Sequence, residues 1–402
     1  MILMGLGLLG LISSTVFNGL VFAGAYRFAA MRRKRRNAAR SDFYPPVSLL
    51  KPLHGDEPNL DAHIASFFEQ DYANFEILFC ARSSNDSGLQ TARRVAARYP
   101  SIPAKFLTTG ENTYTNAKVS SLEKMAALAS TDIFIISDSD VRVTPNYIRE
   151  VVTPFADATV GAVTCLYRGI AEEGLWSKLE AAGMSIEMTS GVLVANMMEG
   201  MQFTLGPTMA VRRSCVNEMG GFGYLGPYCA DDFVLGNQVA LHGHEVVLSY
   251  HVIDHIVLNL SFIASVKHQV RWMKSTRFSR PKGHFGTSLT FAVPFGLLAG
   301  FAAWLLDHPY LAAAFLGWSI LARAAMAAVV GKTVVEERHL LRTTLLYPLR
   351  DLLGFFYWAA SYTSNKILWR GRVYRLAEDG LMLPVKLDER STDTTVSTTP
   401  VS

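Results

Sequence analysis

Two aspartates, Asp138 and Asp140, follow directly after the apolar run at residues 133–136. The β-branched and aromatic residues of that run predict a buried strand. Because ligands of open α/β sheets bind beyond the carboxyl ends of the strands, both carboxylates are expected at such an edge. Paired oxygen ligands there suit a hard divalent cation, and that cation suits a diphosphate. An ordinary strand followed by an Asp-rich turn is the alternative, since Asp-x-Asp alone is a common pattern.

Acidic residues also follow or precede other predicted elements. Asp86 lies in the polar loop after a predicted strand at residues 75–80, where a carboxylate can hold a nucleotide base or ribose. An ordinary turn is the alternative for Asp86. Asp231 and Asp232 precede a helical stretch, and carboxylates are stabilised near a helix N-terminus. A carboxylate kept ionised there is suited to act as a general base, with helix capping as the structural alternative.

Basic and aromatic residues provide further groups for a phosphorylated ligand. Lys118 opens the predicted helix before Asp138 and can face phosphate, with a solvated lysine as the alternative. In the stretch that begins at His268, Arg271 can pair with a diphosphate, and Trp272 can close the site or lie at a membrane surface. The same stretch can also dock on lipid head groups as a basic juxtamembrane helix.

The order of the predicted strands and helices indicates the fold that positions these residues. Strands alternate with helices along the central part of the chain, which is typical of a mostly parallel sheet. The predicted strands cover residues 47–50, 75–80, 104–107 and 133–137, and the predicted helices cover residues 60–69, 89–99 and 118–129. We therefore expect an α/β fold for a domain at residues 41–286.

Apolar residues make up half of the 402-residue chain and concentrate at its two ends. Residues 1–30 are long enough to span a bilayer as an uncleaved anchor. The basic cluster at residues 32–36 follows at once, and the positive-inside rule places it in the cytoplasm. Because this cluster adjoins a spanning segment and contains no aromatic residue, no nucleic-acid partner is expected. The four scattered cysteines indicate neither a zinc site nor a disulfide framework.

A second membrane region is predicted at residues 287–364. Residues 289–306 and 310–330 predict a transmembrane hairpin, and residues 345–362 predict a further spanning or interfacial segment. Arg350 and Asp351 interrupt that last segment, where they are expected to pair with each other or to lie at the interface. We expect an integral membrane protein, in a bacterial inner membrane, with its catalytic domain facing the cytoplasm. The Ser/Thr-rich tail at residues 389–402 is predicted to be disordered.

The order of the motifs resembles that of inverting, lipid-directed glycosyltransferases of the GT-A fold, and in particular the ceramide glucosyltransferase family. A single Asp, an Asp-x-Asp, an Asp-Asp pair and an Arg-Trp follow one another in the chain. The resemblance also rests on the segments at residues 47–53, 76–80, 135–143 and 220–222, and it covers residues 45–280. It implies an α/β GT-A domain with a mostly parallel sheet, flanked by transmembrane helices.

The resemblance also implies a role for each matching residue. Asp232 matches the catalytic base, and Asp138 and Asp140 match the metal–diphosphate clamp, although some members lack an acid at the latter position. His268 stands where the family usually has Gln or Arg, so the contacts at that position are open. The residues expected to bind the nucleotide sugar are Asp86, Lys118, Asp138, His268, Arg271 and Trp272.

The implied reaction moves glucose or N-acetylglucosamine from a UDP-sugar to a hydroxyl of a lipid, with Mg or Mn as the cation. The acceptor is ceramide or a hopanoid polyol, the latter because a related bacterial branch is associated with hopanoid biosynthesis. A polysaccharide synthase of the same superfamily is an alternative, but it needs more spanning helices. A non-catalytic membrane scaffold is another alternative, and it predicts decay of the acidic motifs, which are all intact.

Overall fold

The computed structural model of the protein describes residues 1–37, 42–55, 57–257, 261–369 and 371–385. The tail predicted to be disordered lies outside the described residues. The α-helices are α1 (Ile2–Asn37), α2 (Leu60–Phe68), α3 (Ser87–Ala96), α4 (Ala117–Leu128), α5 (Tyr147–Val152), α6 (Leu175–Ala182), α7 (Thr189–Glu199), α8 (Arg213–Glu218), α9 (Asp231–Leu241), α10 (Phe262–Ser279), α11 (Pro281–Ser288), α12 (Val293–Leu305), α13 (Pro309–Thr333) and α14 (Leu340–Ala360). A π-helical segment, Gly183–Met188, joins α6 to α7.

The β-strands form one large sheet and one small sheet. They are β1 (Val47–Pro52), β2 (Phe75–Ala81), β3 (Ala104–Thr108), β4 (Ile133–Ser137), β5 (Val141–Arg142), β6 (Val160–Ala171), β7 (Thr208–Arg212), β8 (Glu245–Val257), β9 (Lys366–Trp369), β10 (Arg372–Leu376) and β11 (Met382–Pro384). The large sheet has eight strands in the order β3-β2-β1-β4-β7-β6-β8-β5, and the small sheet has the order β11-β10-β9.

Parallel pairing dominates the large sheet. Strands β3, β2, β1 and β4 pair in parallel, as do β6 and β8, whereas β7 is antiparallel to both of its neighbours. The expected α/β class and mostly parallel sheet are therefore confirmed. The predicted first four strands agree with β1 to β4 to within two residues at each end. The later strands, from β5 onwards, were not predicted.

Strands β1, β2 and β4 are buried on both faces, as their nearly continuous apolar sequences require. One polar exception is resolved by hydrogen bonds, because Ser48 of β1 donates to Glu76 of β2 at 2.8 Å. Another is Lys51, a buried lysine in the last part of β1. Since β1, β2 and β4 run in the same direction, the loops that follow them meet at one edge of the sheet, which we call the carboxyl edge.

Two helices among the described residues are long and apolar enough to cross a membrane. They cover residues Ile2–Arg36 and Pro309–Thr333, and α11 with α12 counts as a third span if this pair, bent by 40°, is one broken helix. Helix α14, where a further span was predicted, contains Pro348 and does not meet the same criterion. The expected hairpin therefore corresponds to α12 and α13.

Arg350 and Asp351 of α14 are both buried, and the expectation that they pair with each other is wrong. The Asp351 carboxylate lies 3.1 Å from the Arg323 guanidinium of α13. Its other oxygen accepts the backbone N–H groups of Ala292 and Val293, at 2.9 and 2.8 Å, where α12 begins. Asp351 thus joins three helices, because unpaired helix N-termini attract carboxylates.

The small C-terminal sheet packs against the loop that precedes α9. The backbone N–H of Cys229 donates to Gly380 at 3.1 Å, and that of Met382 donates to Pro227 at 2.8 Å. Tyr228 forms an antiparallel bridge with Leu381. The chain therefore returns from the membrane helices to fix the loop that leads into Asp231 and Asp232.

Candidate active site

Asp138 lies at the carboxyl edge, directly after β4, beside the segment that leads into β7. Its backbone N–H donates to Pro207 at 3.3 Å. The neighbouring Gly206 donates its backbone N–H to Asp232 at 2.7 Å. A single dipeptide, Gly206–Pro207, therefore contacts both the Asp-x-Asp motif and the Asp-Asp motif, which are far apart in the chain.

Lys118 is held between the two acidic motifs rather than solvated. Its ammonium lies 2.8 Å from Asp138 and 3.6 Å from Asp231. Asn116 caps α4 by accepting from the backbone N–H of Lys118 and donates from its amide to Asp231, each at 3.1 Å. Burial lowers the pKa of Lys118, but the carboxylates of Asp138 and Asp231 outweigh it and raise the pKa above its usual value. Lys118 thus stays cationic at the centre of the cluster.

Lys51 brings a second ammonium group to the same place. Its Nζ donates to the backbone oxygen of Asp138 at 2.5 Å and lies 3.7 Å from the centre of the Phe67 ring. Burial lowers the pKa of Lys51 to about 7, against the opposing effect of Asp138 and Asp140. Two lysines of different acidity therefore flank Asp138.

Asp140 is paired with a histidine from β8. His255 Nε2 lies 3.0 Å from one Asp140 oxygen. Burial raises the pKa of Asp140, but the charge and hydrogen bond of His255 together with the charge of Lys51 outweigh it, and the pKa falls below its usual value. The hydroxyl of Ser139 donates to Glu57 at 2.9 Å. Burial, followed by the Asp140 charge, raises the pKa of Glu57 to about 7.

Several carboxylate oxygens of this cluster are suited to receive a cation. Glu57 Oε2, Asp140 Oδ1 and Asp231 Oδ2 are buried and have no hydrogen-bond partner in the described part of the chain. Buried carboxylate oxygens without partners are costly. Oxygen donors of this kind are the ligands that Mg²⁺ and Mn²⁺ prefer. The residues at the carboxyl edge therefore fit a hard divalent cation.

A separate group of candidate metal ligands lies at the opposite end of the sheet, where His244 precedes β8. Cys215, Glu218 and His244 place their ligand atoms within 4.8 Å of one another. The histidine and the glutamate already form an ion pair at 2.7 Å. Burial raises the pKa of Cys215, which disfavours the thiolate that binds metals. This group is better explained as an ion pair beside a buried thiol.

Asp232 is anchored by backbone groups, and no cationic side chain of the described residues lies at hydrogen-bond distance from it. One of its oxygens accepts from Gly206, and the other accepts from the backbone N–H of Phe233 at 2.8 Å. A β-carbon at position 206 would lie 3.0 Å from the carboxylate, so glycine permits this close approach. Burial, followed by the charge of Asp231, raises the pKa of Asp232 to about 6. A carboxylate with this pKa is a competent general base near neutral pH.

Asp86 connects two loops of the carboxyl edge. One of its oxygens caps α3 by accepting from Leu89 at 3.1 Å, and the other accepts from the backbone N–H of Gly55 at 2.9 Å. Gly55 belongs to the loop after β1, which also carries Glu57. The turn considered as the alternative for Asp86 is therefore present, and the contact with Gly55 joins Asp86 to the loop that carries Glu57.

Helix α10 carries the basic and aromatic residues of the predicted site. His268 lies 2.6 Å from the carboxylate of Glu180, and its ring centre lies 4.3 Å from that of Trp272. Burial raises the pKa of the Cys229 thiol while the charge of Arg271 lowers it, so Arg271 lies near the loop before α9. The helix thus reaches the cluster from the side of the membrane helices.

Four residues of this arrangement were not predicted from the sequence, namely Lys51, Glu57, His255 and Glu180. Lys51 lies near the end of β1 and Glu57 lies in the loop that follows. The predicted end of this strand could therefore have indicated both residues. His255 lies inside a strand that was not predicted. Nothing local distinguishes Glu180, whose partner is 88 residues away.

Comparison with known families agrees with the resemblance noted in the sequence. A family model described as glycosyl transferase family 21 matches residues 15–382. Ceramide glucosyltransferase 3 of Caenorhabditis elegans is 25% identical over 351 residues, which are 85% of this chain and 75% of that protein. Ceramide glucosyltransferase 1 of the same species is 26% identical over 231 residues, which are 57% of this chain and 49% of that protein.

Solved glycosyltransferase structures are also similar. The mannosyltransferase PcManGT from Pyrobaculum calidifontis, in complex with GDP-Man and Mn²⁺, has a TM-score of 0.47 at 19% identity and covers 87% of this chain and 99% of its own. S. aureus TarS 1–349 in complex with UDP-GlcNAc has a TM-score of 0.39 at 12% identity and covers 85% of this chain and 100% of its own. The resemblance to ceramide glucosyltransferases is confirmed by the family match and by these relatives. Since the family model covers most of its length, the chain is a membrane protein that belongs to glycosyl transferase family 21.

Proposed function

We propose that the protein is an inverting glycosyltransferase that moves glucose or N-acetylglucosamine from a UDP-sugar to a hydroxyl of a lipid. The observation that carries this proposal is the convergence of Lys118, Asp138 and the Asp231–Asp232 pair on one edge of the sheet. The relatives are named ceramide glucosyltransferases, which supports a lipid acceptor such as ceramide or a hopanoid polyol.

The donor binds at the carboxyl edge in this proposal. Asp138 and Asp140 would hold Mg²⁺ or Mn²⁺, and the cation would supply positive charge to neutralise the leaving UDP. Asp86 contacts the nucleotide from the loop after β2. Lys118 already lies 2.8 Å from Asp138 and adds positive charge beside the diphosphate. The residues of α10 that complete the donor site are His268, Arg271 and Trp272.

Asp232 takes the proton from the acceptor hydroxyl. Its neighbour Asp231 is engaged by Asn116 and Lys118, whereas Asp232 is held only by backbone N–H groups among its hydrogen bonds in the described chain. Its pKa, raised to about 6, suits Asp232 to take a proton near neutral pH. One base and a direct displacement at the anomeric carbon give inversion, by the logic that holds for inverting glycosidases.

We further propose the membrane arrangement that the sequence predicts. Residues 1–30 form the N-terminal anchor, residues 41–286 the cytoplasmic catalytic domain and residues 287–364 the C-terminal membrane and interfacial helices. Arg32 donates to the backbone oxygens of Thr333 and Val334, at 2.7 and 2.9 Å, which supports an arrangement with the C-terminal ends of α1 and α13 on the same side of the membrane. The positive-inside rule makes that side the cytoplasm, here of a bacterial inner membrane.

The experiment that tests the proposal is a radiolabel transfer assay on membranes that contain the protein. They receive UDP-glucose or UDP-N-acetylglucosamine with ceramide or a hopanoid polyol, in the presence or absence of a chelator. We expect a labelled glycolipid that is lost with chelator and falls about 1000-fold in Asp232→Asn, within the range for removing a general base. Asp71→Asn, at an exposed aspartate, is the matched control.

The outcomes separate the parts of the proposal. Transfer that is unchanged in Asp232→Asn contradicts the assignment of the base. A labelled polymer in place of a glycolipid favours a polysaccharide synthase, and no product from folded protein favours a non-catalytic role.

A further inference from the structure

Three arginines meet at Asp254, a buried aspartate of strand β8. Arg168 donates to Oδ1 of this carboxylate through Nε at 3.0 Å and also through Nη2. Arg142 and Arg338 both donate to Oδ2, at 2.9 and 2.8 Å. One negative charge therefore meets three positive charges, and this arginine cluster keeps an excess of positive charge.

The three guanidinium groups are engaged to different extents. Arg168 uses its remaining nitrogen to donate to the backbone oxygens of Val335 and Glu336, at 2.9 and 2.7 Å. The side chains of Arg142 and Arg338 are 38% and 52% exposed, and each has one nitrogen in a hydrogen bond to the described residues. Because both donate to the same oxygen, these two groups stand side by side with further N–H donors available to a ligand.

The arginine cluster lies where two candidate membrane spans end. Arg338 belongs to the short link between α13 and α14, and Glu336 of the same link forms ion pairs with Arg32 and Arg36 at the end of α1, at 3.1 and 3.6 Å. Helices α1 and α13 are the two that are long and apolar enough to cross a membrane in the described part of the chain. The ends of spanning helices lie in the head-group region of a bilayer, where the phosphates of lipids are found.

Strand pairing connects the arginine cluster to the acidic cluster at the carboxyl edge while keeping the two apart. In the β5–β8 pair, Arg142 is opposite Asp254 and Val141 is opposite His255, the histidine that pairs with Asp140. Successive residues of a strand point to opposite faces of the sheet. The arginine cluster is therefore a separate place for an anion, distinct from the edge where the cation and the diphosphate are proposed to bind.

We propose that Arg142 and Arg338 bind the phosphate of an anionic phospholipid and so hold the catalytic domain against the bilayer surface. Guanidinium groups donate pairs of parallel hydrogen bonds to phosphate oxygens. The excess of positive charge favours a lipid with a net negative charge over a zwitterionic one. This lipid is not the acceptor of the proposed reaction, since neither ceramide nor a hopanoid polyol carries a phosphate.

The test measures phospholipid binding by native mass spectrometry, with the purified full-length protein in detergent. The protein is titrated with phosphatidylglycerol and, separately, with phosphatidylcholine, which carries a phosphate but no net charge. We expect phosphatidylglycerol to bind at least about 10-fold more tightly than phosphatidylcholine. In Arg142→Gln and in Arg338→Gln, its dissociation constant should rise about 10-fold, as is usual when a hydrogen bond between charged groups is lost.

Both variants leave Asp254 paired with two arginines, so the fold should be preserved. Arg98→Gln is the matched control, because Arg98 is 51% exposed and pairs with a single aspartate, Asp61, at 2.8 Å. It should bind phosphatidylglycerol as the wild type does. If Arg142→Gln lowers the Tm, Arg338→Gln in the link before α14 carries the test by itself.

Three results overturn the inference. Phosphatidylglycerol that binds equally well to the wild type and to the Arg142→Gln, Arg338→Gln double variant excludes the site. A loss of the same size in Arg98→Gln shows that the lipid responds only to overall charge. Complete displacement of the lipid by millimolar inorganic phosphate shows that the cluster takes the free ion instead, whereas retention of the lipid supports the proposal. Because the readout is lipid binding, a failure of glycosyl transfer leaves this inference unaffected.

Discussion

The carboxyl edge of the sheet and the membrane-side helices both bury charged residues, but their charges balance differently. At the edge, acidic residues outnumber the lysines that face them. The acidic residues are Glu57, Asp138, Asp140, Asp231 and Asp232, and the lysines are Lys51 and Lys118. Some of the carboxylate oxygens there have no hydrogen-bond partner among the described residues. This region therefore carries an excess of negative charge that a bound cation could neutralise.

On the membrane side, two acids among the described residues each have an arginine partner. Asp351 pairs with Arg323, and Glu187 pairs with Arg350, both at 3.1 Å. These four residues come from α13, α14 and the π-helical segment, so the pairs hold separate elements together. Burial of charge is therefore not by itself a sign of catalysis. An excess of buried charge of one sign indicates a ligand-binding site, whereas balanced ion pairs hold neighbouring helices together.

Replacing Asp138 by Asn should produce the largest effect and should separate activity from stability. We expect kcat/KM to fall at least about 1000-fold, or about 4 kcal/mol, because a carboxylate that holds cation and diphosphate is lost. Stability should stay the same or rise, since one charge leaves a cluster with an acidic excess. Transfer assays and thermal unfolding in detergent measure the two quantities.

Asp132→Asn is the matched control for this change, because Asp132 stands exposed at the opposite end of β4. It should leave both activity and Tm unchanged. Activity of Asp138→Asn within tenfold of the wild type, or a clear fall in its Tm, would contradict the view that the acidic cluster serves catalysis rather than stability.

Replacing Asp351 by Asn should have the opposite effect, with a loss of stability and little change in turnover. The change leaves the Arg323 guanidinium buried without its carboxylate and weakens the N-terminal contacts of α12. We expect a loss of about 3 kcal/mol in unfolding free energy, as for removal of one partner of a buried ion pair. The turnover of the fraction that remains folded should be close to that of the wild type.

The double variant Arg323→Met with Asp351→Leu provides the control, since it removes both charges together. It should recover much of the lost stability, because apolar replacements of buried ion pairs are often well tolerated. An unchanged Tm in Asp351→Asn would show that this pair is not a joint between helices.

The part of the site that was predictable from sequence is the part built from local patterns. Asp138 and Asp140 follow a run whose composition alone predicts β4, and parallel strands bring their following loops to one edge. The first strands and helices were predicted for the same reason, since they alternate regularly. The positions of Asp86 and Lys118 beside the cluster agree with that frame.

Long-range pairing accounts for what the sequence did not reveal. His268 meets Glu180 across 88 residues, and the C-terminal sheet folds back onto the loop before α9. Strand β8 supplies His255, and its pairing with β6 depends on a crossover of many residues. Arg350 and Asp351 were considered as a pair because they are adjacent, while tertiary contacts direct them to different helices.

The smallest expected effect concerns the pH dependence of activity. It tests whether the neighbouring acidic charges raise the pKa of Asp232, while Asp232 itself is kept. Because Asp232 must be ionised to accept a proton, and its pKa is raised to about 6, transfer should fall about tenfold per pH unit below about pH 6 and level off above it. Asp231→Asn removes a like charge, so it should move this acid limb to lower pH, whereas Asp71→Asn should not. Initial rates between pH 4.5 and 8 would measure it, using about one value per half unit. A limb that stays in place in Asp231→Asn would mean that burial alone raises the pKa of Asp232, and the acidic excess would then have no part in setting the base.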